Sequence, residues 1–345
     1  MDQSVKRPKV SVMMPVYNGA RYIGDAIKSI LTQTYGDFEL LVLDDGSTDN
    51  TLQVIKSFND PRIRIIRNDR NIGTVLTRNK GLRECCGEYV AMLDSDDLAY
   101  PQRFEKQVNF LNNHLDVGMV GSWVDLINAE GNPLNASWKT DMEAEEVPVF
   151  LLFHNCFSFS AVMLRSVAIP RDGFREGYIP SEDYEIWTRI VDSWKSYNLP
   201  EILTTYRIHK DSLSKKQSDL QNDVVDKIVR SQLSKLSIQP TEEELRLHRT
   251  NDTYRGDDVK GFIIKREKWL LKLIERNNDV QLYDQRIFQR VINKIWLKTC
   301  KSNTAQGFWI WKKFWQSTLS SKVQLSDIND IVKFFIKCLL RKDDR

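Results

Sequence analysis

The 345-residue sequence has no cysteine pair at C-x-x-C spacing, no apolar run long enough to cross a bilayer, no internal repeat and no low-complexity tract. Each absence narrows the field. The five cysteines (Cys85, Cys86, Cys156, Cys300 and Cys338) are odd in number, and the adjacent Cys85 and Cys86 are poorly placed to bridge each other. Reduced thiols and a cytosolic setting are therefore expected. The most apolar window, Val147 to Ile169, is interrupted by His154, Asn155 and Arg165, which argues for a buried core segment rather than a membrane span. No secretory pattern is read near Lys6-Arg7-Pro8, because the strand-length apolar run that follows gives way to the polar Tyr17-Asn18-Gly19. Nor does any RNA- or DNA-binding motif occur, so no nucleic-acid partner is expected.

What is present is an ordinary globular composition, 41% apolar and 28% charged, with a lopsided charge. Residues 1–259 carry 31 Lys+Arg against 39 Asp+Glu, whereas residues 260–345 carry 19 against 8. The last quarter is thus strongly basic, which points to a polyanionic neighbour for that part alone.

Apolar runs at Lys9–Pro15, Phe38–Leu43, Ile63–Ile66 and Tyr89–Leu93 read as strands. Between them, Tyr22–Leu31, the stretch holding Leu52, Ile55 and Phe58, and Gly73–Glu84 read as helices, with Ser47 or Thr48 expected to cap the second. Alternation with short connections predicts a doubly wound, mostly parallel sheet. Beyond it, a helix is expected over Gln102–Leu115, strands over Gly118–Ile127, Ser160–Leu164 and Ser196–Arg207, and a helix over Asp183–Val191. From Asp211 on the periodicity is helical, with breaks near Gln239-Pro240, Arg255-Gly256, Asn277-Asn278 and Ser302-Asn303. An α/β domain over residues 1–214 and a helical region over 215–345 follow.

Two carboxylate clusters, Asp44-Asp45 and Asp94-Ser95-Asp96-Asp97, close strands of the parallel sheet and therefore share the edge where such sheets bind ligands. One would accept hydrogen bonds from a nucleotide's base or ribose; the other would hold a cation bridging two phosphates. Without a cation the second cluster reads instead as solvated acids, with Asp97 capping the next helix. Glu182-Asp183 at a helix start either complements the helix dipole or supplies a general base. His209 follows a strand and precedes a polar turn, which makes it a poor core residue and a candidate ligand beside Asp96.

Taken in order, Pro15-Val-Tyr17-Asn18, Asp44-Asp45-Gly-Ser-Thr-Asp49, Asn71-x-Gly73 with Arg78-Asn79-x-Gly81, Asp94-Ser-Asp96-Asp97, Glu182-Asp183 and Tyr206-Arg-x-His209 resemble the family 2 glycosyltransferases of the GT-A fold over residues 8–214. The resemblance implies inverting, single-displacement transfer of a sugar from a nucleotide diphosphate sugar, usually a UDP-sugar. Pro15, Tyr17, Asn18, Asp44 and Asp45 would then bind the donor nucleotide, supported by Arg78. Asp94 would approach the ribose or the metal, and Asp96 with His209 would hold Mn²⁺ or Mg²⁺. Asp183 would be the catalytic base, with Glu182 the second choice. His154 and Asn155 fall where the family builds its acceptor side, and Trp123, Trp138 and Trp187 would stack on sugars if they are not core. A lipid-diphosphate-linked saccharide in surface polysaccharide synthesis is the implied acceptor, at the inner face of the plasma membrane.

That context bears on the tail. Phe308, Trp309, Trp311, Phe314 and Trp315, then Ile328, Ile331, Val332, Phe335, Ile336 and Leu339, recur at helical spacing among Lys333, Lys337, Arg341 and Lys342. Basic amphipathic helices with aromatic anchors suit an anionic membrane surface; packing back on the catalytic domain is the alternative. Two rivals compete with the transferase reading. A sugar-phosphate nucleotidyltransferase would want a Gly-rich, basic loop where Tyr17-Asn18-Gly19 stands. A non-catalytic sugar-nucleotide-binding scaffold would have less need of Asp96, Asp183 and His209.

Overall fold

The computed structural model describes residues 7–140, 142–210, 218–250, 254, 256–321 and 328–341. The expected domain boundary at residue 214 and Lys342 lie outside them. The chain divides into two compact units, Met1–Leu151 with Asn155–Val225, and Leu152–His154 with Asp226–Arg345.

In the first unit β1 (Val10–Val16), β2 (Phe38–Asp44), β3 (Ile63–Arg67) and β4 (Tyr89–Met92) are parallel, in the order β3-β2-β1-β4. Crossover helices bury both faces of such a sheet, which is why β1, β2 and β4 are buried along almost their whole length and read as mainly apolar runs. α1 (Ile23–Leu31) turns Ile23, Ala26, Ile27 and Ile30 onto a core that includes Val12, Met14, Leu40 and Val42. α2 (Thr51–Lys56) and α3 (Thr74–Glu84) complete the crossovers, and edge strand β3 carries Arg64 and Arg67, charges that discourage further pairing. Val16 pairs with Asp44, while β4 runs beside Val10–Met13 and ends at Met92. The acids after β2 and β4 therefore do share the carboxyl edge.

The described residues extend this into a nine-stranded mixed sheet, order β3-β2-β1-β4-β8-β6-β9-β5, with β7 paired to β6. Here β5 is Leu98–Ala99, β6 Val117–Ile127, β7 Pro133–Trp138, β8 Met163–Arg165 and β9 Lys195–Arg207. α4 (Arg103–Asn113), α5 (Val147–Phe153) and α6 (Glu182–Ile190) flank it. The window Val147–Ile169 is core as expected, with Val147, Leu151, Val162 and Leu164 buried.

Local readings are corrected in three places. Asp97 does not cap α4; β5 intervenes, and the Asp97 carboxylate accepts Arg207 N–H at 2.8 Å. Ser47 and Thr48 do not cap α2, because Ser47 Oγ accepts Asn18 N–H at 2.9 Å. The helix through Asn277-Asn278 does not break there. Buried Asn277 accepts Tyr283 N–H at 2.9 Å and donates to Gln285 Oε1 at 2.7 Å, so the chain turns only at Gln281, in the left-handed region at φ 56°.

The second unit holds most of α7 (Ser218–Lys235), then α8 (Glu242–Arg249), α9 (Val259–Val280), α10 (Gln285–Lys301), α11 (Phe308–Gln316) and α12 (Ile328–Leu340). Thr241 and Glu244 close a capping box on α8, and Asp258 and Asp284 cap α9 and α10. Trp269, Leu273, Phe288, Ile292, Trp296 and Phe314 are core. No described helix is long and apolar enough to cross a membrane.

Helix α3 sits tight on the sheet because Gly81 has no side chain. A Cβ there would lie 2.4 Å from Leu43 Cδ1 and 2.8 Å from Met13 Sδ. Gly81→Val is expected to cost at least ~2 kcal/mol through overpacking, read as a lower urea midpoint; an unchanged midpoint would contradict that packing.

Candidate active site

Three loops meet at the carboxyl edge. The turn after β1 is fastened to the turn after β2 through Asn18, in the left-handed region at φ 52°. Its Oδ1 accepts from Thr48 N–H at 2.9 Å and Asp49 N–H at 3.3 Å, and Gly19 N–H reaches Thr51 Oγ1 at 2.9 Å. Asp45 is spent on local structure: it accepts from Asn68 Nδ2 and Ile72 N–H at 2.9 Å and Gly73 N–H at 3.0 Å. Asp44 takes Ser47 N–H at 2.9 Å and pairs with Arg67 Nε at 3.2 Å. Beside them opens a cleft lined by Arg67, Asn68, Asp69, Arg70, Ile72 and Lys80. Pro15, next to last in β1, pairs with Leu43, and Tyr17 is 48% exposed, free to lie against a planar ligand.

Helix α3 joins this edge to α6. Arg78, 7% exposed, donates from Nη1 to Glu182 Oε1 at 2.7 Å and from Nη2 to Asp94 Oδ1 at 3.0 Å. The ring of Phe159 lies 3.7 Å and that of Phe174 5.7 Å from its guanidinium carbon. Burial alone would lower the Arg78 pKa, but Asp94, Glu182 and Asp183 outweigh it and raise it. Asn79 clamps the backbone of Phe174 from both sides, at 2.8 Å each.

The D-x-D loop is tied to β9. Arg207 donates from Nε to Asp96 O at 2.7 Å, and its backbone N–H meets Asp97. Ser160 Oγ accepts Asp94 N–H at 3.0 Å. Asp94 is pushed up to about 6 by burial, with Asp96 adding to the shift and Arg78 opposing it. His209 Nε2 lies 2.8 Å from Asp96 Oδ2, its ring 5.0 Å from that of Tyr22, and its buried Nδ1 has no hydrogen-bond partner among the described residues. No group of three or more candidate ligands gathers among the described residues. One carboxylate and one imidazole nonetheless fit a cation that takes its remaining ligands from a diphosphate; Mn²⁺ tolerates the nitrogen better than Mg²⁺ does.

On α6, Glu182 is locked to Arg78, whereas Asp183 is held by neutral donors, Asn155 Nδ2 at 3.0 Å and Tyr184 N–H at 2.7 Å. Burial pushes Asp183 up to about 7, Glu182 adding to the shift and Arg78 opposing it. Asn155, expected near an acceptor, thus orients Asp183. Of the two places open to Trp187, core is the one it takes: it is fully buried, and its place as a sugar contact is corrected. Trp123 is partly buried and donates to Thr140 O at 3.1 Å, and Trp138 on β7 is 38% exposed. His154 falls in the second unit. Arg207 and Phe174 were not singled out from sequence; Arg207 had a signal, its place inside Tyr206-Arg-x-His209.

Acid loops at the carboxyl edge of a parallel sheet that continues into mixed strands define a GT-A-type transferase domain. The structure of residues 1–349 of S. aureus TarS with UDP-GlcNAc has the same fold, at a TM-score of 0.55 and 18% identity over 91% of this chain and 90% of that one. The family model described as Glycosyl transferase family 2 matches residues 11–169. An uncharacterised glycosyltransferase of Methanocaldococcus jannaschii is 34% identical over 207 residues, 59% of this chain and 71% of its own. The putative glycosyltransferase EpsE of Bacillus subtilis is 33% identical, covering 59% of this chain and 74% of its own. WfgD of Escherichia coli, a UDP-Glc:alpha-D-GlcNAc-diphosphoundecaprenol beta-1,3-glucosyltransferase, is 30% identical, covering 63% and 87%. The chain belongs to glycosyl transferase family 2 and is a glycosyltransferase, which sets aside the nucleotidyltransferase reading.

Arg78→Met removes the cation between two carboxylates and is expected to cost ~3–5 kcal/mol at pH 8. Asp94 already stands above its ordinary 3.8. A raised carboxylate pKa means the folded state keeps protons that the unfolded state has released, so the deficit should grow from pH ~4 toward pH 8. A pH-independent loss in urea unfolding would contradict the assignment.

Proposed function

We propose that this glycosyltransferase is inverting and metal-dependent, moving a hexose or N-acetylhexosamine from a UDP-sugar to a hydroxyl of a lipid-diphosphate-linked saccharide in surface polysaccharide synthesis. The observation that carries the reading is Asp183, a carboxylate pushed up to about 7 and held by neutral donors, the proton affinity a general base needs near neutral pH. The donor and acceptor classes draw support from the activity in WfgD's name.

In this reading Tyr17 stacks on the base, and Asp44, within the frame made by Pro15, Asn18 and Asp45, hydrogen-bonds base or ribose. Asp94, oriented by Arg78, meets the ribose or the cation. Asp96 and His209 hold Mn²⁺ or Mg²⁺, which when bound offsets charge growing on the leaving diphosphate. Asp183 takes the acceptor hydroxyl's proton as that oxygen attacks from the face opposite the leaving group, so an α-linked donor gives a β-linked product. One carboxylate suffices, unlike the pair a glycosidase requires. Glu182, committed to Arg78, fixes the start of α6 rather than acting as base.

The acceptor class bears on the tail. α11 and α12 bury Ile310, Phe314, Phe334 and Cys338, yet leave Phe308, Trp315, Val332, Phe335, Ile336, Leu339 and Leu340 exposed, with Lys333, Lys337 and Arg341 on the same helix or at its end. An apolar surface with cations beside it suits the inner face of an anionic bilayer, where a lipid-linked acceptor would be met.

Two experiments test these roles. Asp183→Asn should lower kcat at least a thousandfold with donor affinity unchanged, and in the parent kcat/KM should fall as pH drops through about 7, because a base must be unprotonated. Equal loss of donor binding would contradict the role. Ile336→Glu with Leu339→Glu should abolish flotation with phosphatidylglycerol vesicles while leaving the melting temperature in place; undiminished flotation would refute membrane contact.

A further inference from the structure

A histidine that holds a metal is ordinarily aimed by a hydrogen bond at its second ring nitrogen. His209 has no such bond among the described residues, where its buried Nδ1 meets no partner. The contact of Nε2 with Asp96 Oδ2, at 2.8 Å, leaves the imidazole free to tilt about it. A neighbouring aromatic ring supplies the missing constraint. The half-buried Tyr22 lies with its ring centre 5.0 Å from that of His209, the two planes 45° apart. The guanidinium carbon of buried Arg207 lies over the same ring, 4.8 Å from its centre, and that of the exposed Arg21 is at 5.0 Å. Arg207 in turn donates from Nε to Asp96 O at 2.7 Å. One ring therefore borders both residues that grip Asp96, one at its carbonyl and the other at its carboxylate. Tyr22 is itself anchored where α1 begins: its N–H donates to Gly19 O at 3.0 Å, and its carbonyl accepts Asp25 N–H at 3.0 Å. All these residues belong to the first unit.

We propose that Tyr22 is a positioning residue for the cation site: its ring holds the His209 imidazole and the Arg207 guanidinium against Asp96, and so sets how strongly the site prefers Mn²⁺ to Mg²⁺. This rests on Asp96 and His209 being the protein's ligands to that cation. Without the ring, Asp97 still accepts the Arg207 backbone N–H and Ser160 still holds the backbone of Asp94, so the loop that carries Asp96 keeps its course. What is lost is the aim of the nitrogen. A misplaced imidazole handicaps Mn²⁺ more than Mg²⁺, the harder cation, which draws on oxygen ligands. Tyr22 also ties two parts of the site together. Gly19, whose carbonyl takes the Tyr22 N–H, belongs to the turn that carries Tyr17 and is fastened by Thr51.

The test is cation binding by the full-length protein in saturating UDP, with Mn²⁺ followed through the paramagnetic resonance signal of the free ion and Mg²⁺ through its competition. The proteins compared are the parent, Tyr22→Phe, Tyr22→Leu, His209→Ala and the Tyr22→Leu/His209→Ala double variant. Tyr22→Leu should weaken Mn²⁺ about tenfold, the loss typical of removing a group that orients a ligand, and Mg²⁺ clearly less. Tyr22→Phe keeps the ring and should bind both ions as the parent does. The double variant should bind Mn²⁺ no more weakly than His209→Ala, because the tyrosine acts through the histidine. Unchanged Mn²⁺ affinity in Tyr22→Leu, equal losses for the two ions, or losses that add in the double variant would overturn the proposal. If the Leu variant does not fold, Tyr22→Met, which fills the space with a flexible apolar chain, is read in the same way. Failure of the underlying reading looks different: His209→Ala would itself bind Mn²⁺ as tightly as the parent.

Discussion

The site depends on one guanidinium. Arg78 is a buried cation gripped by Asp94 from the loop after β4 and by Glu182 from the start of α6, and it lies against the faces of two phenylalanines. Removing one partner from such a buried set leaves an uncompensated charge, which costs far more than a surface pair is worth. The two carboxylate segments, 88 residues apart in sequence, are thereby drawn to one point. With Asn79 holding Phe174, neighbouring positions of α3 position both the D-x-D loop and the helix that carries Asp183.

Around that cation the edge collects more acid than the protein neutralises by itself. Asp94 and Asp183 both bind protons more tightly than ordinary carboxylates, and Arg207 spends its Nε on a backbone carbonyl rather than a carboxylate. Folding alone would not favour this crowding; it is strain of the kind that functional sites carry and the rest of the core offsets. The same crowding separates two adjacent carboxylates by role. Glu182 is fixed in an ion pair, and Asp183, with neutral donors only, is left the freer to exchange a proton.

Much of this was legible in the chain. Strands buried on both faces must read as apolar runs, so β1, β2 and β4 and the acids that close them could be placed on one edge from sequence. The six ordered motifs carried the family. Contacts between distant side chains were not legible: that Asn155 orients Asp183, or that Arg207 staples the Asp96-Asp97 turn. The end of α9 was misread because Asn277 and Asn278 resemble a turn, whereas buried Asn277 bonds forward to Tyr283 and Gln285. Two-residue β5 is too short to leave a pattern, and β7 has every side chain exposed, so it shows no apolar alternation.

The central claim is that a single carboxylate drives displacement of a nucleoside diphosphate from the opposite face of the sugar. It is tested most directly by the anomeric configuration of the product, followed by proton NMR from the first turnovers with α-linked UDP-sugars, Mn²⁺ and a GlcNAc-diphosphate-lipid acceptor. The account predicts a β-linked product whose formation matches UDP release. An α-linked product would contradict it, as would release of UDP with no sugar transferred.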